Sequence, residues 1–137
     1  MSDCIFCKIV AHEVPNYTVY EDDMVLAFLD IHPHAKGHTV VIPKAHTERT
    51  IDVSLADMEA VSRGISHAVA RIKKVLQPDG FNIGWNDGEA AGQVVPHLHV
   101  HILPRWTGDG GGSMHAIIKK PGVHSAADIA KFFANPS

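Results

Sequence analysis

The chain has 137 residues, 45% of them hydrophobic, and a formal net charge of −3. That length is the usual size of one domain, and the apolar content suffices for a real core, which excludes a disordered chain. The weak negative charge supplies no basic field and so argues against a general nucleic-acid binder, while no apolar stretch approaches the length of a membrane span.

The N-terminus, Met1-Ser2-Asp3-Cys4, lacks a basic segment followed by a long apolar run. The expectation is therefore a cytoplasmic protein without membrane contact. Cys4 and Cys7 are the only cysteines. In a reducing compartment a C-x-x-C pair points to a metal site or a redox pair, not to a structural disulfide. Residues 4–10 can form a short helical turn. Residues 19–21 and 24–29 read as strands around an Asp22-Asp23 turn. Residues 30–37, carrying Pro33 and Gly37, form a loop, and residues 38–43 form a third strand.

The clearest helix follows. Ser54 is a good N-cap with Asp57 three residues on, and Leu55, Met58, Val61, Ile65, Val69, Ile72 and Leu76 recur at steps of three and four. Pro78 and Gly80 close it. Residues 81–86 alternate like a strand, residues 87–92 read as a turn, and residues 95–103 form the next strand. The Gly-rich residues 108–112 are expected to be mobile. Ser125, with Asp128 three residues on, starts a second capped helix. This order predicts an α+β domain, an antiparallel sheet with its helices on one side.

Histidine is the outlier, with 11 residues. Its pKa lies near neutrality and it ligates metals. In His97-Leu98-His99-Val100-His101-Ile102 the imidazoles alternate with apolar residues. On a strand they share one face, about 6.6 Å apart, while Leu98, Val100 and Ile102 take the other. An ordinary half-buried strand carries Thr, Ser or Lys there. Three imidazoles suit either nucleophilic and acid–base chemistry or a His₃ metal face.

The flanks carry a resemblance. Gly92-Gln93-Val94-Val95-Pro96-His97-Leu98-His99-Val100-His101-Ile102-Leu103-Pro104-Arg105 resembles the signature of the histidine-triad (HIT) superfamily. Cys4-Ile5-Phe6-Cys7-Lys8-Ile9, Leu26-Ala27-Phe28-Leu29-Asp30-Ile31 and Gly37-His38-Thr39-Val40-Val41-Ile42-Pro43-Lys44-Ala45-His46 resemble, in order, other segments of its bacterial Hint-like branch. The resemblance implies a five-stranded antiparallel sheet with one long and one or two short helices, joined to a second sheet across a homodimer. It implies a single domain over residues 1–137, with a core at about 4–105 and a tail at 106–137 carrying a short helix.

The resemblance also implies roles. His99 is the expected nucleophile toward the α-phosphate of a purine nucleotide derivative, with His101 and His38 as donors to the phosphate oxygens. Asp30 is expected at the ribose hydroxyls, Asn86 and Gln93 near the phosphate or leaving group, and Phe6, Phe28 and Ile31 at the base. Cys4, Cys7, His46 and His97 are implied as ligands of a structural zinc, with no organic cofactor. Val94 stands where many members carry Ser or Thr, which puts efficient phosphoramidase chemistry in question. The implied activity is hydrolysis of nucleoside phosphoramidates or dinucleoside polyphosphates; the alternative is a nucleotide-binding interaction module with weak or no catalysis. His12, His32, His34, His67, His115 and His124 are left as surface or loop residues.

Overall fold

A computed structural model describes residues 3–134; residues 1–2 and 135–137, the two ends of the expected domain, lie outside the described residues. The strands are β1 (Thr18–Glu21), β2 (Val25–Leu29), β3 (Thr39–Pro43), β4 (Gly80–Gly84) and β5 (Val100–Arg105), with helices α1 (Ile5–Val10), α2 (Leu55–Leu76) and α3 (Ala126–Phe133). The strands form one antiparallel sheet in the order β1-β2-β3-β5-β4. The α+β fold with five strands, one long helix and two short ones is therefore present.

Side-chain alternation divides the core in two. Val25, Ala27, Val41, Val100 and Ile102 face α2, whereas Leu26, Phe28, Val40 and Ile42 face the opposite way, against Ile9 and Phe6 of α1. The helices thus do not all lie on one side, as the element order suggested. The central strands β2 and β3 are apolar on both faces, so both faces need cover.

Helix α2 begins where Ser54 Oγ accepts the Asp57 amide at 3.0 Å. It ends at Gln77, whose left-handed backbone (φ 55°) stops the helix before Pro78. Leu55, counted into the apolar stripe, is 83% exposed. The stripe begins at Met58, and its closest approach to the sheet runs along Ala60, Gly64 and Ala68.

Strand β5 starts at Val100 rather than residue 95. Continuing the β3–β5 register would set Pro43 opposite Leu98. Instead the His97 Nε2–H donates to the Pro43 carbonyl at 2.8 Å, and the Leu98 amide donates to the Thr47 carbonyl at 2.6 Å. A side chain thus occupies the acceptor a ladder amide would use. The Gly-rich segment is tied down: the Arg105 guanidinium grips both Asp109 oxygens at 2.8 Å and donates to the Gly112 carbonyl at 2.6 Å. Among the described residues no helix is long and apolar enough to cross a membrane.

Candidate active site and metal centre

Leu98, Val100 and Ile102 enter the core beside α2, so His97, His99 and His101 are directed to the other side of the sheet. His97 is fully buried, His99 is 7% exposed and His101 is half-buried. His99 rests edge-on against Phe6, with ring centroids 5.1 Å apart, and against His101 at 5.0 Å.

The tautomers follow from the partners. His99 Nδ1 lies 2.7 Å from the His97 carbonyl oxygen. A carbonyl only accepts, so Nδ1 carries the proton and Nε2 keeps its lone pair. Burial holds this imidazole below its ordinary pKa and therefore neutral at pH 7. His38 Nδ1 accepts the His34 backbone amide at 3.1 Å, so its proton sits on Nε2, which donates to His101 Nδ1 at 2.9 Å. His101 is left with its proton on Nε2, free to donate onward. Burial first, then repulsion from His99 and His38, lowers the His101 pKa to about 4. The site therefore sets a bare nitrogen on His99 beside an N–H donor on His101.

Asp30 follows β2 and points one oxygen at His38, 3.6 Å from Nε2, while the other accepts the His32 amide at 2.8 Å. Phe28 is buried against Phe6, with ring centroids 5.7 Å apart. Ile31 is 73% exposed beside Asp30. Asn86 lines a cavity of about 870 Å³ that opens next to His101 and is walled by Trp85, Leu103, Met114 and Ile117. Gln93 behaves differently from Asn86. Its Oε1 accepts the Gly88 amide at 2.7 Å, and its Nε2 donates to the carbonyls of Glu48 at 2.9 Å and Val95 at 3.1 Å, so its amide braces the preceding loop.

The same loop is pinned by residues that sequence reasoning missed. Asp87 Oδ1 accepts both the Thr50 amide and hydroxyl, and Trp85 Nε1 donates to Thr50 Oγ1 at 2.7 Å. His34 was also missed; its amide fixes the His38 tautomer, and the only sequence signal was its position four residues before His38.

A second cluster lies at the start of the histidine segment. Cys4 N-caps α1, and Cys7 sits one turn later. Cys4 Sγ is 3.5 Å and Cys7 Sγ 3.6 Å from His97 Nδ1, and Cys7 Sγ is 3.2 Å from His46 Nδ1. The four ligand atoms lie within 4.8 Å of one another. A tetrahedral zinc with sulfur at about 2.3 Å and nitrogen at about 2.0–2.1 Å has S···N edges of about 3.5 Å, so the cluster fits. The His97 Nε2–H bond to Pro43 leaves Nδ1 as the ligating nitrogen.

Comparison with known proteins agrees with this architecture. The HIT domain family matches residues 11–108. An uncharacterised HIT-like protein of Methanocaldococcus jannaschii is 50% identical over 107 residues, 78% of this chain and 82% of its own. An adenylylsulfatase of Arabidopsis thaliana is 44% identical over 107 residues, 76% of this chain and 53% of its own. Among solved structures, a HIT family member from Bacillus subtilis superposes with a TM-score of 0.82 at 38% identity, covering 96% of this chain and 93% of that one. A zinc-bound histidine triad family protein from Mycobacterium smegmatis gives 0.72 at 41% identity, covering 80% and 79%.

Proposed function

This chain belongs to the HIT domain family, and on that premise we propose that it hydrolyses purine nucleoside phosphoramidates or dinucleoside polyphosphates at the α-phosphorus, releasing a nucleoside monophosphate. The observation that carries this reading is the His99 Nδ1 bond to the His97 carbonyl, which leaves a neutral, unprotonated Nε2 beside the His101 donor.

In the proposed reaction His99 Nε2 attacks phosphorus, and the bond to the leaving group breaks with its electron pair. Water then attacks phosphorus and breaks its bond to His99 Nε2, the water oxygen staying on the released monophosphate and its proton replacing the one that the leaving group takes up as it departs. His101 Nε2–H stabilises charge on the phosphate oxygens, held in that tautomer by His38. Asp30 accepts ribose hydroxyls, Phe6, Phe28 and Ile31 form the base side, and Asn86 meets the phosphate or leaving group. Gln93 acts by holding the loop that carries Asn86. The adenylylsulfatase relative supports chemistry at an adenylyl group in this family.

Cys4, Cys7, His46 and His97 are proposed to hold a structural zinc, which supplies a crosslink between α1 and the histidine segment and leaves His99 free; the zinc-bound relative supports this. The chain is further proposed to be a single HIT domain with a core at about 4–105 and a tail at 106–137, to act in the cytoplasm and to form a homodimer. Sedimentation showing only monomer at micromolar concentration contradicts the dimer.

The test of catalysis compares wild type with His99→Ala on an AMP phosphoramidate and on a diadenosine polyphosphate. The variant is expected to lose on the order of a thousandfold or more in kcat. Equal rates for the two proteins remove the catalytic reading and leave a nucleotide-binding module.

A further inference from the structure

Cys4 and Cys7 share a geometry that metal binding alone does not require. Cys4 is the N-cap of α1, and the Cys7 amide donates to its Sγ at 3.5 Å. Cα atoms three positions apart on a helix stand about 5 Å apart, inside the span of about 4.4–6.8 Å that a disulfide bridges. The pair can therefore close on itself within the first turn of α1, and closing it removes two of the four ligand atoms of the Cys4, Cys7, His46, His97 cluster at once.

The two cysteines are unequal. Cys4 is buried and Cys7 half-buried, so a small oxidant meets the Cys7 sulfur first and the sheltered Cys4 is the partner that resolves it. A thiolate deprotonated for metal binding is also the form that attacks a peroxide. Between them stands Phe6, edge-on to His97 at 5.9 Å and to His99 at 5.1 Å. Ile9 and Val10 hold the later turn of α1 against Leu26, Phe28, Val40 and Ile42. Loss of the crosslink therefore frees the turn that carries Phe6 without detaching the helix.

We infer that Cys4 and Cys7 are a modification site for hydroperoxides, whose oxidation to a disulfide expels the zinc and unfastens Phe6 from His99. The Cys7 thiolate attacks one peroxide oxygen, the O–O bond breaks and hydroxide leaves, giving a sulfenic acid. The Cys4 thiolate then attacks the Cys7 sulfur and expels a second hydroxide. Two thiolates lose two electrons, the peroxide gains them, two solvent protons turn the hydroxides to water, and Zn²⁺ departs with its charge unchanged. Disulfides in reducing compartments are characteristically transient ones of this kind. The inference rests on the zinc reading and, for its effect on ligand, on the nucleotide reading.

The experiment treats the full chain, purified without chelator, with graded hydrogen peroxide. Zinc release is followed with a chromophoric chelator, the bridge by peptide mass after alkylation, and AMP affinity by equilibrium binding. About one zinc is expected per Cys4–Cys7 disulfide, with faster amide exchange in the first turn of α1. AMP affinity is expected to fall about threefold to tenfold, the weight of one aromatic contact. Dithiothreitol with added Zn²⁺ should restore all of these. Cys7→Asp keeps a ligand oxygen but cannot form the bridge, and is expected to hold its metal through the same treatment. Zinc lost without a disulfide, a Cys7→Asp variant that loses metal as readily as wild type, or a disulfide that leaves AMP affinity unchanged overturns the inference. Protein that carries no zinc before treatment removes the zinc reading and this inference with it. If untreated protein does not bind AMP, the nucleotide reading fails, while zinc release, the mass of the bridge and amide exchange in α1 still decide the switch.

Discussion

His38 Nε2 donates to His101 Nδ1 across 2.9 Å, joining the residue that enters β3 to β5 through two imidazoles. The bond leaves the His101 Nε2–H directed at the proposed phosphate site only because the His34 amide occupies the far nitrogen of His38. Replacement by His38→Phe keeps comparable ring bulk and removes both bonds. A loss of about 10- to 100-fold in kcat is expected. Imidazole ¹⁵N shifts should show His101 as the Nε2–H tautomer in wild type and as a mixture in the variant. An unchanged His101 tautomer would show that the relay does not act.

Acid should destabilise the fold through the same pair. Burial holds His101 near about 4, and His38 is shifted the same way, while an unfolded imidazole takes its proton near 6.5. As pH falls through that interval, the unfolded chain binds protons that the native chain refuses. Stability fully present above about pH 6.5 is therefore lost progressively toward pH 4. Allowing for solvent screening at the half-buried His101, about 1–2 kcal/mol should be lost between pH 7 and pH 5. Urea unfolding at the two values reads it, and His101→Gln should flatten the slope. An identical slope in that variant places the acid sensitivity elsewhere.

Metal removal should loosen α1. Purified without chelator, the protein should carry about one zinc per chain, since a closed Cys₂His₂ set binds zinc tightly. Well under one per chain defeats the zinc reading. Stripping the metal should lower Tm and raise amide exchange in α1, because Cys4 and Cys7 are then tied to His97 and His46 only by weak sulfur contacts.

What was legible from sequence was whatever local chemistry dictates. Ser54 and Ser125 cap their helices as the motif predicts, and the alternation from Leu98 to Ile102 separates core from site. In the structure His38 Nε2 meets His101 Nδ1, and Cys4, Cys7 and His46, the set the resemblance implied as zinc ligands, gather around His97. The missed features depend on tertiary partners. The start of β5 shifts because His97 itself takes the Pro43 carbonyl. His34 acts through its backbone amide, which its side chain does not advertise. The tail's place over the cavity follows from Arg105 gripping Asp109, a contact that charge spacing alone does not single out.

The helix–sheet contact behind the site supplies a stability test in which two effects oppose each other. Gly64 sits inside α2, where alanine is normally favoured by about 1 kcal/mol. A Cβ there would stand 2.7 Å from Val25 Cγ2 and 2.9 Å from Val41 Cγ1. Both valines are fully buried side chains on central strands, so neither can swing aside without moving the sheet. Overpacking of this kind costs about 1–3 kcal/mol, which exceeds the propensity gain over most of that range. Gly64→Ala should therefore lower stability, by up to about 2 kcal/mol in urea unfolding, with m unchanged. The displaced Val41 neighbours Val100 across β3 and β5, one residue from His99, so the variant should also lose activity at temperatures where it remains fully folded. A stabilised variant would mean that α2 rides farther from the sheet than the Ala60, Gly64, Ala68 line requires.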